Sequence, residues 1–171
     1  MKDILLLQAK YNQFADNNLL ATIEKVEFSK LQSNIGSYFK NAIGSIEHSL
    51  VANIYFFGSI FSTYTNKQVD INELLNISLP GGVLKDEYKS SFAGLKKAML
   101  LVDSKIIEIV ENIDDFTSRG KIEFPGITFE KPRGELILAI LNHNIHHRGE
   151  VSAILDILGI SNNFAGMLGM K

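Results

Sequence analysis

The sequence predicts an all-α fold, a single domain over residues 1–171 in which four long helices pack around one core. Two observations lead to this prediction. Apolar residues make up 46% of the chain, which is ample for a core in a domain of this length. They recur every three or four positions along four long stretches, the spacing of a helix with one buried face.

The first two helices are predicted over residues 3–26 and 38–61. The apolar positions of the first are Ile4, Leu7, Tyr11, Phe14, Leu19, Ile23 and Val26. The second follows the stretch NIGS at 34–37, whose asparagine and glycine favour a turn. Its apolar positions are Phe39, Ile43, Ile46, Leu50, Ile54, Phe57 and Phe61. This second repeat predicts the main stripe of the core.

The third and fourth helices are predicted over residues 85–113 and 132–158. The third has the most regular repeat, at Leu84, Tyr88, Phe92, Leu95, Met99, Val102, Ile106, Ile109 and Ile113. Proline suits the first turn of a helix and glycine suits its end. Pro132 and Gly159 therefore bound the fourth helix.

Two connections separate these helices. Residues 62–80 are polar and predict a loop with one short turn. Residues 121–130, KIEFPGITFE, alternate apolar and polar side chains on both sides of Pro125-Gly126. This alternation predicts a small β-hairpin before the last helix, which must pack against helices to persist.

Composition excludes several classes of function. The formal net charge is -2 and no basic cluster occurs, so we expect no nucleic-acid partner. No segment approaches the ~20 apolar residues that span a bilayer, and the opening residues lack the apolar region of a signal peptide. We therefore expect a cytoplasmic protein with no membrane contact. Since cysteine is absent, any metal must have nitrogen or oxygen ligands.

Three of the four histidines lie in the stretch HNIHHRGE, residues 143–150. On a helix, His143 and His147 are about 40° apart and can reach one metal ion, whereas His146 is turned about 100° from His147. A site that leaves positions open for water or substrate usually has three protein ligands. The remaining histidine, His48, lies on the second predicted helix and is the candidate for the third.

The expected pocket beside these histidines is lined by Gly44, Val51, Ala52, Tyr55, Leu136, Ala139, Ile140 and Ile154. Other interpretations are open on spacing alone. A helix with the HxxxH pattern is often only polar surface, and a histidine on an apolar face is often a hydrogen-bonded core residue. The spacing supports metal binding and these structural interpretations equally.

The run LNHNIHHRGE at 141–150 resembles the HxxxHRGQ signature of the DinB/YfiT-like superfamily, small bacterial four-helix-bundle proteins with a three-histidine metal site. The runs YNQFADN at 11–17 and HSLVAN at 48–53 also fit. The resemblance implies that the metal ligands are His48, His143 and His147, and that the protein is a homodimer. The chain departs from the family in having Glu150 where glutamine is usual, and in having no tryptophan.

Glu150 has several possible roles beside such a site. Its carboxylate could orient the imidazole of His147, approach the metal, or act as a base on bound water. An ordinary surface salt bridge is the alternative. Arg148 is turned away from the ligand face, and we expect it to make a structural hydrogen bond or ion pair.

Three neutral imidazoles leave a bound ion its full charge, and zinc or nickel suits such a ligand set. The resemblance implies a metal-dependent enzyme that acts on a small molecule, either hydrolase-like or a transferase that uses a low-molecular-weight thiol. Two alternatives stay open. One is a metal-binding stress-response protein without turnover, and the other is a structural homodimer with a vestigial site.

Overall fold

Helices account for most of the structure, a computed structural model that describes residues 1–164 and 166–170. The α-helices are α1 (Lys2–Ile23), α2 (Phe28–Leu31), α3 (Ala42–Asn53), α4 (Asn72–Asn76), α5 (Asp86–Lys89), α6 (Phe92–Glu111) and α7 (Arg133–Ile157). The strands are β1 (Ser78–Leu79), β2 (Val83–Leu84), β3 (Arg119–Phe124) and β4 (Ile127–Pro132). A π-helix over Ile54–Ile60 continues α3, and 3-10 turns occupy Phe61–Tyr64 and Met167–Gly169.

The first and last predicted helices agree with α1 and α7 to within three residues at each end. The second starts later than predicted, because Asn41 caps α3 by accepting a hydrogen bond from the Gly44 N–H at 2.8 Å. The third prediction joined α5 and α6. Ser91 separates them by capping α6, since its hydroxyl accepts from the Gly94 N–H at 3.2 Å.

The predicted hairpin before the last helix is confirmed. Strands β3 and β4 pair in antiparallel register from Arg119 opposite Pro132 to Phe124 opposite Ile127. Gly126 makes the turn with a φ of 83°, a conformation that glycine adopts without strain.

The 62–80 stretch is more structured than the predicted loop. It contains α4, and β1 pairs with β2 across a turn at Pro80-Gly81-Gly82. Leu74 and Ile77 are buried, so packing on the core holds this polar segment in place despite its weak local pattern.

Long helical segments surround the core. Helix α1 packs against α6 and α7, and α3 together with its π-helical continuation packs against α6 and α7. The core includes Leu5, Ile23, Phe57, Leu95, Ile106 and Leu141, all 0% or 1% exposed. Within the described residues, no helix is both long enough and apolar enough to cross a membrane. The packing of α3 on α7 brings distant parts of the sequence side by side.

Candidate metal centre

Helices α3 and α7 bring His48, His143 and His147 together. One ligand nitrogen from each ring lies within 4.8 Å of the other two. The ring centroids are 4.3 Å apart for His143 and His147, 4.6 Å for His48 and His147, and 5.3 Å for His48 and His143. Close by, the Ser49 hydroxyl donates to Asn144 Oδ1 at 3.1 Å and joins the two helices. The three side chains can hold one metal ion.

The hydrogen bonds of His147 suit it to a ligand role. Its Nδ1 is 2.7 Å from Glu150 Oε2, and its Nε2 is 2.9 Å from His143 Nε2. A carboxylate that accepts from Nδ1–H leaves Nε2 unprotonated. Since a Zn–N bond is ~2.0–2.1 Å, two nitrogens that share one ion lie close to this observed separation. The donor set therefore fits a divalent ion.

The electrostatics of the cluster favour uncharged rings at His143 and His48. His147 is buried, and His143 and His48 are partly exposed. Burial, followed by the nearby imidazoles, lowers the pKa of His143 to about 4. Burial and then His147 lower the pKa of His48. Metal ligation requires neutral imidazole, so these two side chains have the required form at neutral pH.

Glu150 contacts two histidines. Its Oε2 pairs with His147, and its Oε1 lies 3.2 Å from Nε2 of His146, which is 69% exposed. His146, His147 and Glu150 also form a group whose ligand atoms lie within 4.8 Å of one another. His146 thus points away from the three-histidine cluster, as its position on the helix predicted, and Glu150 links it to His147.

Phe39 forms one wall of the cluster and was not among the predicted site residues. Its ring stacks on His48 with centroids 4.4 Å apart and an interplanar angle of 25°, and its edge contact with His147 is at 5.4 Å. The sequence pattern placed Phe39 in the apolar stripe of the second helix. It lies instead in the loop before α3, where Lys40 has a φ of 71°. The NIGS stretch and the Asn41 cap were the signals that could have placed it there.

The predicted pocket residues fall into three places. Leu136, Ala139 and Ile140 lie on α7 in a groove of about 390 Å³, which the hairpin and the π-helix complete through Ile122, Phe124, Phe129 and Phe56. Ile154 and Glu150 lie in a second groove of about 190 Å³, which also contains Phe39. The remaining predicted residues lie on α3 and its continuation.

Those remaining residues do not share one cavity. Gly44 packs against the backbone of Phe39 and borders a surface depression that contains Glu47. Val51 and Ala52 are partly buried against the core. Tyr55 is 46% exposed and lies in the π-helix that continues α3.

A buried polar network lies behind His147. Arg148 donates from Nη1 to Asp16 Oδ1 at 2.9 Å and from Nη2 to Asn12 Oδ1 at 2.7 Å. Asn12 in turn donates from Nδ2 to the Leu141 carbonyl oxygen at 3.0 Å. Arg148 therefore makes the structural ion pair that was expected, and its hydrogen bonds connect α7 to α1.

Asp103 on α6 completes this network. Burial raises the pKa of Asp103 well above its usual range, and the negative charge of Asp16 raises it further. Burial also raises the pKa of Asp16, while Arg148 opposes that rise. The larger rise falls on Asp103, which favours its protonated form beside a carboxylate at Asp16 that pairs with Arg148. The sequence patterns assigned no role to Asp16 or Asp103.

These features define a class: mostly helical proteins in which a histidine pair on the last long helix meets a histidine from another helix at a possible metal site. The chain belongs to the DinB family, whose family model matches residues 1–165. The resemblance inferred from the sequence is thereby confirmed. No curated protein and no solved structure gave a significant match.

Proposed function

We propose that this chain is a divalent-metal-dependent enzyme of the DinB family, built on a four-helix bundle, with His48, His143 and His147 as ligands. The observation that carries the proposal is the cluster itself. Its three imidazoles come from two helices, and Glu150 turns the unprotonated Nε2 of His147 toward His143. Zinc or nickel suits this nitrogen ligand set.

A bound divalent ion would supply Lewis acidity, and would acidify a coordinated water or hold a coordinated thiol as thiolate. The residues around the site would orient the ligands and exclude water. Glu150 orients His147, and the Phe39 ring keeps water from the face of His48. Glu150 has both oxygens directed at imidazoles, which supports an orienting role over that of a base.

The proposed reaction is hydrolysis of a small molecule, or transfer involving a low-molecular-weight thiol. Either reaction needs an exchangeable position on the ion, which three protein ligands leave open. We also propose a homodimer, on the family resemblance, and its mass in solution can be measured by light scattering.

Elemental analysis of protein expressed without a polyhistidine tag tests the metal site. We expect near-stoichiometric zinc or nickel in the wild type and its loss in the His48→Ala variant, because His48 is the ligand that α3 contributes. A wild type that stays metal-free after incubation with both ions at neutral pH would contradict the proposal. It would leave the structural homodimer as the explanation.

Enzymatic activity needs its own test on the metal-loaded protein. Esters, amides and low-molecular-weight thiols with electrophilic acceptors are the substrates to screen. Turnover that disappears in His48→Ala would support the enzyme, whereas stoichiometric metal without turnover on any of these classes would favour a non-catalytic metal-binding protein.

The role of Glu150 predicts a graded response. We expect Glu150→Leu to weaken zinc affinity ~10–100-fold, the usual effect of removing the partner of a ligand histidine. Glu150→Gln should weaken it less, because the amide oxygen still accepts from His147 Nδ1–H. Calorimetric zinc titrations measure both effects. Equal affinities for the two variants would show that hydrogen bonding by Glu150 does not matter.

A further inference from the structure

A small cavity lies between α1, α3, α6 and α7, and both His147 and Arg148 line it. Its volume is about 20 Å³, and a buried cavity needs roughly 10–15 Å³ to hold one water molecule. Asn53, Asp103, Asn144 and His147 line it together with apolar side chains. The cavity therefore has room for one water.

Three polar atoms of this lining have no hydrogen-bond partner within the part of the chain that the structure describes. They are Asn53 Oδ1, Asp103 Oδ2 and Asn144 Nδ2. Their residues are 4%, 4% and 3% exposed, so bulk water does not reach them. Buried polar groups in folded proteins are nearly always hydrogen-bonded, and ordered water is a common partner.

The three atoms match the bonding capacity of a water molecule. Asn144 Nδ2 is a donor and Asn53 Oδ1 is an acceptor. Asp103 Oδ2 is a carboxyl oxygen and can also accept. One water accepts one hydrogen bond and donates two in this arrangement, close to the average of three for buried waters.

We propose that this cavity is a binding site for one ordered water, which joins α3, α6 and α7 and positions His147 for metal binding. Asn53, Asp103 and Asn144 each belong to a different one of these helices. Asn144 precedes His147 by three residues on α7, so the two side chains lie on neighbouring parts of one helix face. The water thus adds a contact that holds this face of α7, beside the His147 ring, against α3 and α6.

The competing ligands fit less well. A metal ion would lie beside the guanidinium of Arg148, and the carboxylate of Asp16, which also lines the cavity, is already paired with that guanidinium. An organic molecule exceeds the cavity volume. A neutral water is the ligand that both the volume and the charge allow.

The experiment has two readouts. A crystal structure of the wild-type protein shows whether solvent density lies within hydrogen-bond distance of the three unpartnered atoms. Zinc titration then compares the wild type with Asn53→Leu, which removes one acceptor and fills the cavity with a side chain of similar size. We expect solvent density in the wild type and its loss in Asn53→Leu. The zinc affinity of the variant should be about 10-fold weaker, the lower end of the range for mutations of residues that support a ligand histidine.

Ile54→Leu is the matched control, because Ile54 is the next residue, is equally buried and does not line the cavity. It should keep both the density and the zinc affinity. A wild-type cavity without solvent density would overturn the water site, and this readout does not depend on whether Asn53→Leu folds. A folded Asn53→Leu with unchanged zinc affinity would overturn the positioning role.

The positioning role rests on the proposed function, whereas the water site does not. If the wild type takes up no zinc, the proposed function and the positioning role both fail. The crystallographic density would then still decide whether the cavity binds water.

Discussion

The His147→Ala variant should lose tight zinc binding, with an affinity at least ~100-fold below that of the wild type. His147 lies at the centre of the cluster, because one ring nitrogen faces His143, the other faces Glu150, and its ring packs on His48. Its loss removes a proposed ligand and also the imidazole that Glu150 contacts. Mutation of a residue that hydrogen-bonds to a ligand histidine typically weakens metal affinity ~10–100-fold. Removal of the proposed ligand itself should weaken it more.

Helix content should be nearly unchanged in this variant, since the core is built from apolar residues that do not depend on an ion. Circular dichroism and zinc titration on the same sample separate the two effects. The control is His146→Ala, which removes the exposed neighbouring histidine and should keep its zinc. If His147→Ala retained stoichiometric zinc, the assignment of the site would be wrong.

The Arg148→Met variant should be destabilised by about 3–5 kcal/mol, the range for breaking a buried ion pair by removing one partner. Arg148 is 6% exposed and bonds both Asp16 and Asn12. Methionine fills much of the same space but leaves the carboxylate of Asp16 without its cation. Chemical denaturation at neutral pH measures the loss.

Acidification should reduce the difference between Arg148→Met and the wild type. Without Arg148, the pKa of Asp16 rises further above its value in the unfolded chain, because burial remains while the charge and hydrogen bond of Arg148 that lower the pKa are lost. The folded variant then binds a proton that the unfolded chain lacks, so its relative stability increases as pH falls toward the unfolded pKa. Arg119→Met, which breaks an exposed pair with Glu130, should cost at most ~1 kcal/mol. Equal losses of unfolding free energy in the two variants would show that the buried ion pair stabilises the protein no more than the exposed one.

Local patterns predicted the parts of the fold that local interactions determine. Helices α1 and α7 follow from a regular apolar repeat, and β3 and β4 follow from alternation around Pro125-Gly126. The three histidines could be selected because two are four residues apart on one helix and only one other candidate ligand histidine was left. These features need no knowledge of how the helices pack.

Tertiary packing determined what was missed. Nothing in the local pattern distinguishes the π-helix at Ile54–Ile60 from an ordinary helix. Phe39 is apolar at a helical spacing, and only the NIGS stretch and the cap at Asn41 indicate that it precedes α3. Asp16 and Asp103 each resemble a surface acid in the sequence. Their association in one network with Arg148 depends on contacts between α1, α6 and α7.

The separation of the ligands along the chain has a kinetic consequence. His48 and His143 are nearly a hundred residues apart, and they meet only when α3 docks on α7. Closing so long a loop comes late in folding, after local helices have formed. An ion held by all three histidines would therefore bind a chain that has almost reached its native state. It would slow the unfolding of this protein and leave its folding rate nearly unchanged.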